Sequence, residues 1–255
     1  MLKSSPVKVR DYVRALDLPE SGAFLERIES VPITGAGQEA LAIGTQLTEF
    51  TAAVPADLRR RVADTMLLAQ LAADKAMKTR PDAEPFAWYD KYSEVLQTVG
   101  WRLADMEQVE RRLDEQGGDV HRAIIPVVTA ALAPGAAAAS IVLAVLKGLG
   151  DMDEDAPWIT VFDRSSAHAR GAKFQVGHVD VDDAGNPQMT LVCFSIDAKR
   201  TITQVLFFKF KDQETKVRQA VRKLSSTPAH LALAGDEIAE RVRPFIVDFV
   251  RSIDI

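Results

Sequence analysis

Cys193 is the single cysteine of the chain. It stands in the run LVCFSI, with no lysine, arginine or histidine beside it in sequence. A cysteine acts as a nucleophile or metal ligand through its thiolate, which needs a nearby cation or base. Nothing local supplies one. Three readings stay open: a silent buried thiol, a nucleophile served by a histidine brought in by folding, or an attachment point for an acyl group in an apolar setting. The histidines that folding could bring are His121, His168, His178 and His230. His168 and His178 show no metal-ligand spacing of the HExxH kind, so no metal site is expected. GxSxG, the hydrolase nucleophile elbow, does not occur. TGAGQEA, at 34–40, lacks the third glycine of a dinucleotide fingerprint and the lysine of a phosphate loop, which leaves a plain turn. DMDED, at 151–155, opens like a calcium loop, yet Ala156 stands where the turn glycine belongs and Phe162 where the bidentate glutamate belongs. No catalytic residue and no cofactor follow from these motifs.

The elements that must position Cys193 fall into two compositional parts, 1–150 and 151–255. In the first, the chain is irregular up to SVPITGAGQ. A helix then starts at Pro55 with Leu58, Val62, Met66, Ala69 and Ala73 on one stripe, proline suiting the first helical position. A second helix starts at Pro85, with Trp88, Tyr92 and Val95 on one face as core, and ends at Gly100. ADMEQVERRLDEQGG, at 104–118, reads as a third, exposed helix. Beyond the acidic linker DMDEDAP the period moves toward two. WITVFD, AKFQVGHVDV, QMTLVCFSI and TQVLFFKFK read as strands, and DDAGNP marks a hairpin between the second and third. Two closing helices are expected, one around Val217, Ala220, Val221 and Leu224, the other from Ile238 to Ile253 with Pro244 bending it. The fold class is therefore α+β: N-terminal helices packed on a small, mostly antiparallel C-terminal sheet, all in one compact unit of 1–255.

Composition bounds the function. The net charge is −5, with 17 basic against 20 acidic residues up to Gly150 and 14 against 16 beyond it. Neither part is basic, so nucleic acid is not an expected partner. The start carries no apolar run of signal-peptide length, and a lone cysteine fits a reducing compartment, so synthesis in the cytoplasm is expected, with later release or peripheral membrane association left open. Residues 123–146 form a run without any charged side chain. Its length would suit a bilayer span of roughly 20 residues, but Pro134-Gly135 divides it. Two helices, about Asp119–Ala133 and Ala136–Leu149, are expected as an antiparallel hairpin buried in the soluble form.

WYDKYSEVLQTVGW in a helical first part, the uncharged alanine-rich hairpin, the lone cysteine in LVCFSI and the following QVLFFKFK resemble, by layout over most of the chain, the Erwinia virulence factor family of insect-gut virulence proteins. That resemblance implies an α/β protein, a palmitoyl chain held as a thioester on Cys193, and association with fatty acid or a lipid membrane. It implies no catalytic residue. The acyl chain is expected between the sheet and the apolar helices, including 124–146. The functional expectation is a non-enzymatic, lipid-associated bacterial protein of virulence or toxin-like type. The alternatives are a soluble enzyme whose site forms only on folding, with His168, His178 and neighbouring carboxylates at its centre, and a module that grips a protein through the apolar hairpin.

Overall fold

Along 187–197 the side chains alternate between two apolar sets, Val192, Phe194 and Ile196 on one face and Met189, Leu191 and Cys193 on the other. A strand apolar on both faces needs cover on both, and the fold supplies it. The computed structural model describes residues 6–20, 31–35, 38–80, 85–112, 119–149, 159, 162–163, 166–168, 171–197, 202, 204–208 and 216–252. Its strands are β1 (Val31–Gly35), β2 (Gln38–Ile43), β3 (Gln46–Phe50), β4 (Arg102–Arg112), β5 (Ala167–His168), β6 (Gly171–Val181), β7 (Pro187–Asp197) and β8 (Lys216–Ser225). They form one sheet in the order β1-β2-β3-β6-β7-β8-β4, with β5 paired to β6. All pairings are antiparallel except that of β3 with β6.

Helices α1 (Pro6–Ala15), α2 (Ala56–Lys78), α3 (Pro85–Thr98), α7 (Pro228–Ala232) and α8 (Gly235–Ser252) share one core with the Cys193 face. Helices α4 (Val120–Ala131), α5 (Pro134–Ala139) and α6 (Ile141–Gly148) cover the Val192 face, helped by Ile159, Phe162 and the turn at Val205–Phe208. The result is a three-layer α+β protein with two cores, one on each side of the sheet.

The helices at Pro55 and Pro85 form where their apolar stripes require, and Leu58, Val62, Met66, Ala69, Ala73, Trp88, Tyr92 and Val95 are buried. The β6–β7 hairpin turns at Asp182–Asn186, where the Asp182 carboxylate accepts from the amides of Ala184 and Asn186 and Gly185 takes a φ of 77°. That left-handed conformation suits glycine.

Several sequence expectations are corrected. Residues 1–150 are not a helical part, since they contribute β1 to β4. The sheet is therefore larger than a four-stranded C-terminal one, and TGAGQEA leads into a strand rather than a helix. Residues 102–112 form the edge strand β4, whose exposed charged side chains suit an unpaired sheet edge. Residues 216–225 form β8 in place of the first closing helix: Val217, Ala220 and Leu224 fit a helical stripe, but pairing with β7 and β4 decides. Val205–Phe208 is a turn, and the described residues of WITVFD, namely Ile159, Phe162 and Asp163, are helical. Within 124–146 the chain breaks at Leu132-Ala133 and again at Ser140, whose hydroxyl accepts the Leu143 amide and starts α6. The acidic linker 151–155 and Ile253 lie outside the described residues.

Candidate functional site

Cys193 lies mid-strand in β7 opposite Gln175 of β6 and Ala220 of β8, and only 1% of it is exposed. Its Sγ donates to Gln175 Oε1 at 3.6 Å. The surroundings are not wholly apolar. Gln175 Nε2 donates to Gln46 Oε1, which also accepts from the Tyr92 hydroxyl at 2.8 Å, and Gln46 Nε2 donates to Thr48 Oγ1 at 2.6 Å. This polar thread lies flat against the sheet because residue 177 is glycine: a Cβ there would stand 2.6 Å from Thr48 Oγ1. Above it sits α3, anchored by the Tyr89 hydroxyl to the carbonyls of Phe174 and Phe194 and by buried Arg222, which donates to the Tyr89 carbonyl, Ser93 Oγ and Asp90 Oδ1.

Burial pushes the Cys193 thiol up to about 12, with the Arg222 charge opposing that rise in part. The group is therefore a neutral thiol at physiological pH. Among the described side chains no histidine serves it. His178 points to the opposite face of the sheet, His121 bonds the Leu206 carbonyl in the other core, and His230 lies in α7 beside Gly100. The side chain of His168 lies outside the described residues. The expected place for an acyl chain is corrected as well: Cys193 faces α2 and α3, while 124–146 covers the other face, so the sheet separates the two.

A second constellation was only half visible in the sequence. His178 of β6 and Glu49 of the parallel neighbour β3 are register partners whose side chains share the α4–α6 face. His178 Nδ1 lies 2.5 Å from Glu49 Oε1. The other carboxylate oxygen accepts from Ser140 Oγ and from the Val142 amide, both at 2.8 Å. Glu49 thereby ties the sheet to the start of α6, where an anion is favoured by unpaired amides and the helix dipole. With Nδ1 held by Glu49, Nε2 is the ring nitrogen left without a partner among the described residues. Two strand residues further on, Asp180 Oδ1 accepts from Thr51 Oγ1 at 2.6 Å and from the Val181 amide.

Glu49, His178 and Asp180 line a cleft of about 400 Å³ between the end of β3, residues 51–53 and the start of α5. On the core side, toward Val128, Leu132 and Val192, no space admits a water. The arrangement can accept hydrogen bonds and hold a cation, or use His178 as a base. It lacks the geometry of a serine triad, because the Ser140 hydroxyl donates to Glu49 and not to His178. Among the described residues no group of three His, Cys, Asp or Glu side chains is arranged to hold a metal ion.

Beside this face, Asp163 binds the turn that seats α4. Its Oδ1 accepts the Val205 amide at 2.7 Å, and the amides of Val120 and His121 donate to Phe208 and Leu206 of the same turn. Burial raises the Asp163 carboxyl to about 7, against the lowering effect of its bonds to the Val205 and Leu206 amides.

No established protein family matches the chain, and no curated protein matches it. Three solved structures are loosely similar. A delta-endotoxin has a TM-score of 0.41 and 12% identity, covering 78% of this chain and 87% of its own. The Evf virulence factor has a TM-score of 0.34 and 11% identity, covering 94% of this chain and 89% of its own. The activated Cyt2Ba monomer from Bacillus thuringiensis subsp. israelensis has a TM-score of 0.31 and 11% identity, covering 71% and 96%. The likeness is one of overall layout alone.

Proposed function

We propose that this chain is a lipid-associated, non-enzymatic protein of virulence or toxin-like type that meets a lipid surface through the outer side of α4, α5 and α6. One observation carries the reading. Among the described side chains between Ala123 and Leu146, the exposed ones are Pro126, Thr129, Ala130, Ala133, Gly135 and Ala144, and half-buried Ile125, Val127 and Ile141 lie among them. No charge interrupts this face, while exposed Arg122 and Lys147 stand just outside it. An uncharged surface bordered by cations suits the boundary between acyl chains and anionic headgroups. No helix among the described residues is long and apolar enough to cross a membrane. Contact is therefore interfacial, or follows from movement of these helices away from the sheet.

The second part of the proposal is a fatty-acyl thioester on Cys193, supported by the resemblance of the sequence layout. A long chain there would gain about 0.8 kcal/mol per buried methylene. It would lie beneath α2 and α3, so the thiol must be acylated before α3 closes or while α3 is displaced. The thiolate attacks the carbonyl of an acyl thioester donor, and the donor's thiolate leaves.

The test joins both parts. Protein from its native source is weighed intact, treated with neutral hydroxylamine, and sedimented with anionic vesicles. The expected results are an acyl mass that hydroxylamine removes and Cys193→Ser abolishes, and vesicle binding that Ala130→Glu with Ala144→Glu abolishes without loss of thermal stability, both sites being exposed. An unmodified mass removes the thioester. Vesicle binding unchanged by the two glutamates removes the lipid face.

A second reading has one specific observation in its favour, the His178–Glu49 pair facing a cleft. A carboxylate-oriented imidazole is general-base geometry. If the cleft hydrolyses esters, His178→Ala abolishes that hydrolysis, and activity equal to the parent's refutes the reading.

A further inference from the structure

The Glu49–His178–Asp180 cleft has a chemical asymmetry. Its described lining carries two carboxylates, Glu49 and Asp180, and one imidazole, His178. His178 is nine-tenths buried, and its Nε2, across the ring from the Glu49 bond, has no partner among the described residues. Asp180 uses Oδ1 for Thr51 and Val181, and no described residue donates to Oδ2. Among the described residues no lysine or arginine lines the space, and the remaining walls include Ala52, Ala53 and Ala136. The nearby Arg59 guanidinium is turned to the carbonyls of Thr51 and Val54. An anion would face the Asp180 carboxylate with no lysine or arginine among the described lining to offset it, and a neutral apolar ligand would leave that carboxylate and the imidazole edge without partners. A group with several N–H donors, one positive charge and a short apolar stem satisfies all of them.

We infer that this cleft binds a primary alkyl-ammonium group, with Asp180 as counter-charge, His178 Nε2 as a second acceptor, and Ala52, Ala53 and Ala136 against the adjoining methylenes. Glu49 does not touch the ligand. It fixes the imidazole so that Nε2 presents its lone pair, and is a positioning residue. The cleft includes Gly135 and Ala136, part of the face proposed to meet lipid. The ammonium can therefore come from a lipid headgroup or from a free amine. The headgroup source rests on the lipid reading, and the ammonium site itself does not.

The experiment titrates the full chain with ethanolamine and, separately, with tetramethylammonium, following backbone amide resonances of 50–53 and 135–136. Ethanolamine is expected to bind with a Kd on the order of 1 mM, given its few atoms. Tetramethylammonium, which has the charge but no N–H, is expected to bind at least tenfold more weakly. Asp180→Asn keeps an acceptor for Thr51 but removes the charge, and should weaken ethanolamine roughly tenfold. Gly135→Lys is the second variant: a Cβ at 135 meets no atom within 4 Å, and the introduced ammonium can occupy the cleft itself. It should abolish binding while the fold persists. Ethanolamine that does not bind, binds no better than tetramethylammonium, or binds both variants as well as the parent overturns the inference. Vesicles of phosphatidylcholine with and without phosphatidylethanolamine separate the sources. Preference for the ethanolamine lipid assigns a headgroup, and equal binding assigns a free amine. Vesicle binding without ethanolamine binding overturns the ammonium site and leaves the lipid reading standing, whereas ethanolamine binding without vesicle binding does the reverse.

Discussion

Replacing Asp163 with asparagine should make the protein more stable at pH 8 and flatten its dependence on pH. The carboxyl is raised from an ordinary 3.8 to about 7, chiefly by burial. A carboxylate raised on folding disfavours the native state when charged, so its contribution is most favourable below pH 4 and worsens as pH rises through 7. A shift of this size corresponds to about 4 kcal/mol once complete, of which roughly 2.5 kcal/mol accrues between pH 5 and pH 8. Asparagine keeps the oxygen that accepts the Val205 amide but has no proton to lose. The assay is urea unfolding of parent and Asp163→Asn at pH 5, 6, 7 and 8. Asp64, raised to about 6 by burial, also titrates in this range, so the informative quantity is the difference between the two proteins. That difference should grow by about 2 to 3 kcal/mol in favour of asparagine from pH 5 to pH 8. A difference that stays constant with pH, or that grows in favour of aspartate, refutes the argument. The readout also bears on α4, because the turn that Asp163 binds receives the amides of Val120 and His121.

Leu143 is buried where α6 meets the sheet, so Leu143→Asp should cost several kcal/mol or stay protonated. Thermal unfolding and faster amide exchange across 141–148 would show it. Arg222→Ala removes the buried cation that joins β8 to Tyr89, Ser93 and Asp90, and should destabilise by about 3–5 kcal/mol. A chemical denaturation midpoint equal to the parent's would contradict that. Because β3 pairs with β6 and β4 with β8, limited proteolysis near 150–158 should not release two independently folded halves, as size-exclusion chromatography of the digest would report.

How much of this the sequence disclosed depended on whether a segment's local pattern agreed with its neighbours. The α2 stripe from Leu58 to Ala73, the aromatic face of α3 and the DDAGNP turn each carry a strong signal of their own, and all three form as read. In β8, Val217, Ala220, Val221 and Leu224 satisfy helical spacing as well as they satisfy a strand. The choice is made by β7 and β4, which no local window contains. The same holds for 102–112, whose Ala, Met, Glu and Arg favour a helix until the sheet edge recruits them. At the candidate site the sequence names His178 as a suspect, but its partner stands 129 residues earlier, in 39–54, where the sequence suggests no element. The available clue was Leu47 and Glu49 at alternating positions between Gly44 and Pro55. A glutamate in register with a core leucine is an expensive placement unless something folds back to bond it. For Cys193 the faces of β7 were legible, while the gap between that cysteine and 124–146 was not, because alternation along one strand does not say which helices cover which side.

The parallel contact between β3 and β6 has a consequence for the order in which the molecule can assemble. The first three strands make a small ribbon with one open side at Gln46–Phe50, and the residues that close it, Gln175–Val179, emerge from the ribosome only after some 125 more have been made. The partner of β4, Lys216–Ser225, is made later still. Until then the nascent chain exposes an open sheet edge together with helices whose covering surface is incomplete. Such a species is slow to mature and prone to self-association or capture by chaperones. The interval between the emergence of β7 and that of β8 is also the period in which Cys193 and the inner faces of both helical layers are open to solvent, so any molecule destined for the interior has its widest access during synthesis rather than after it.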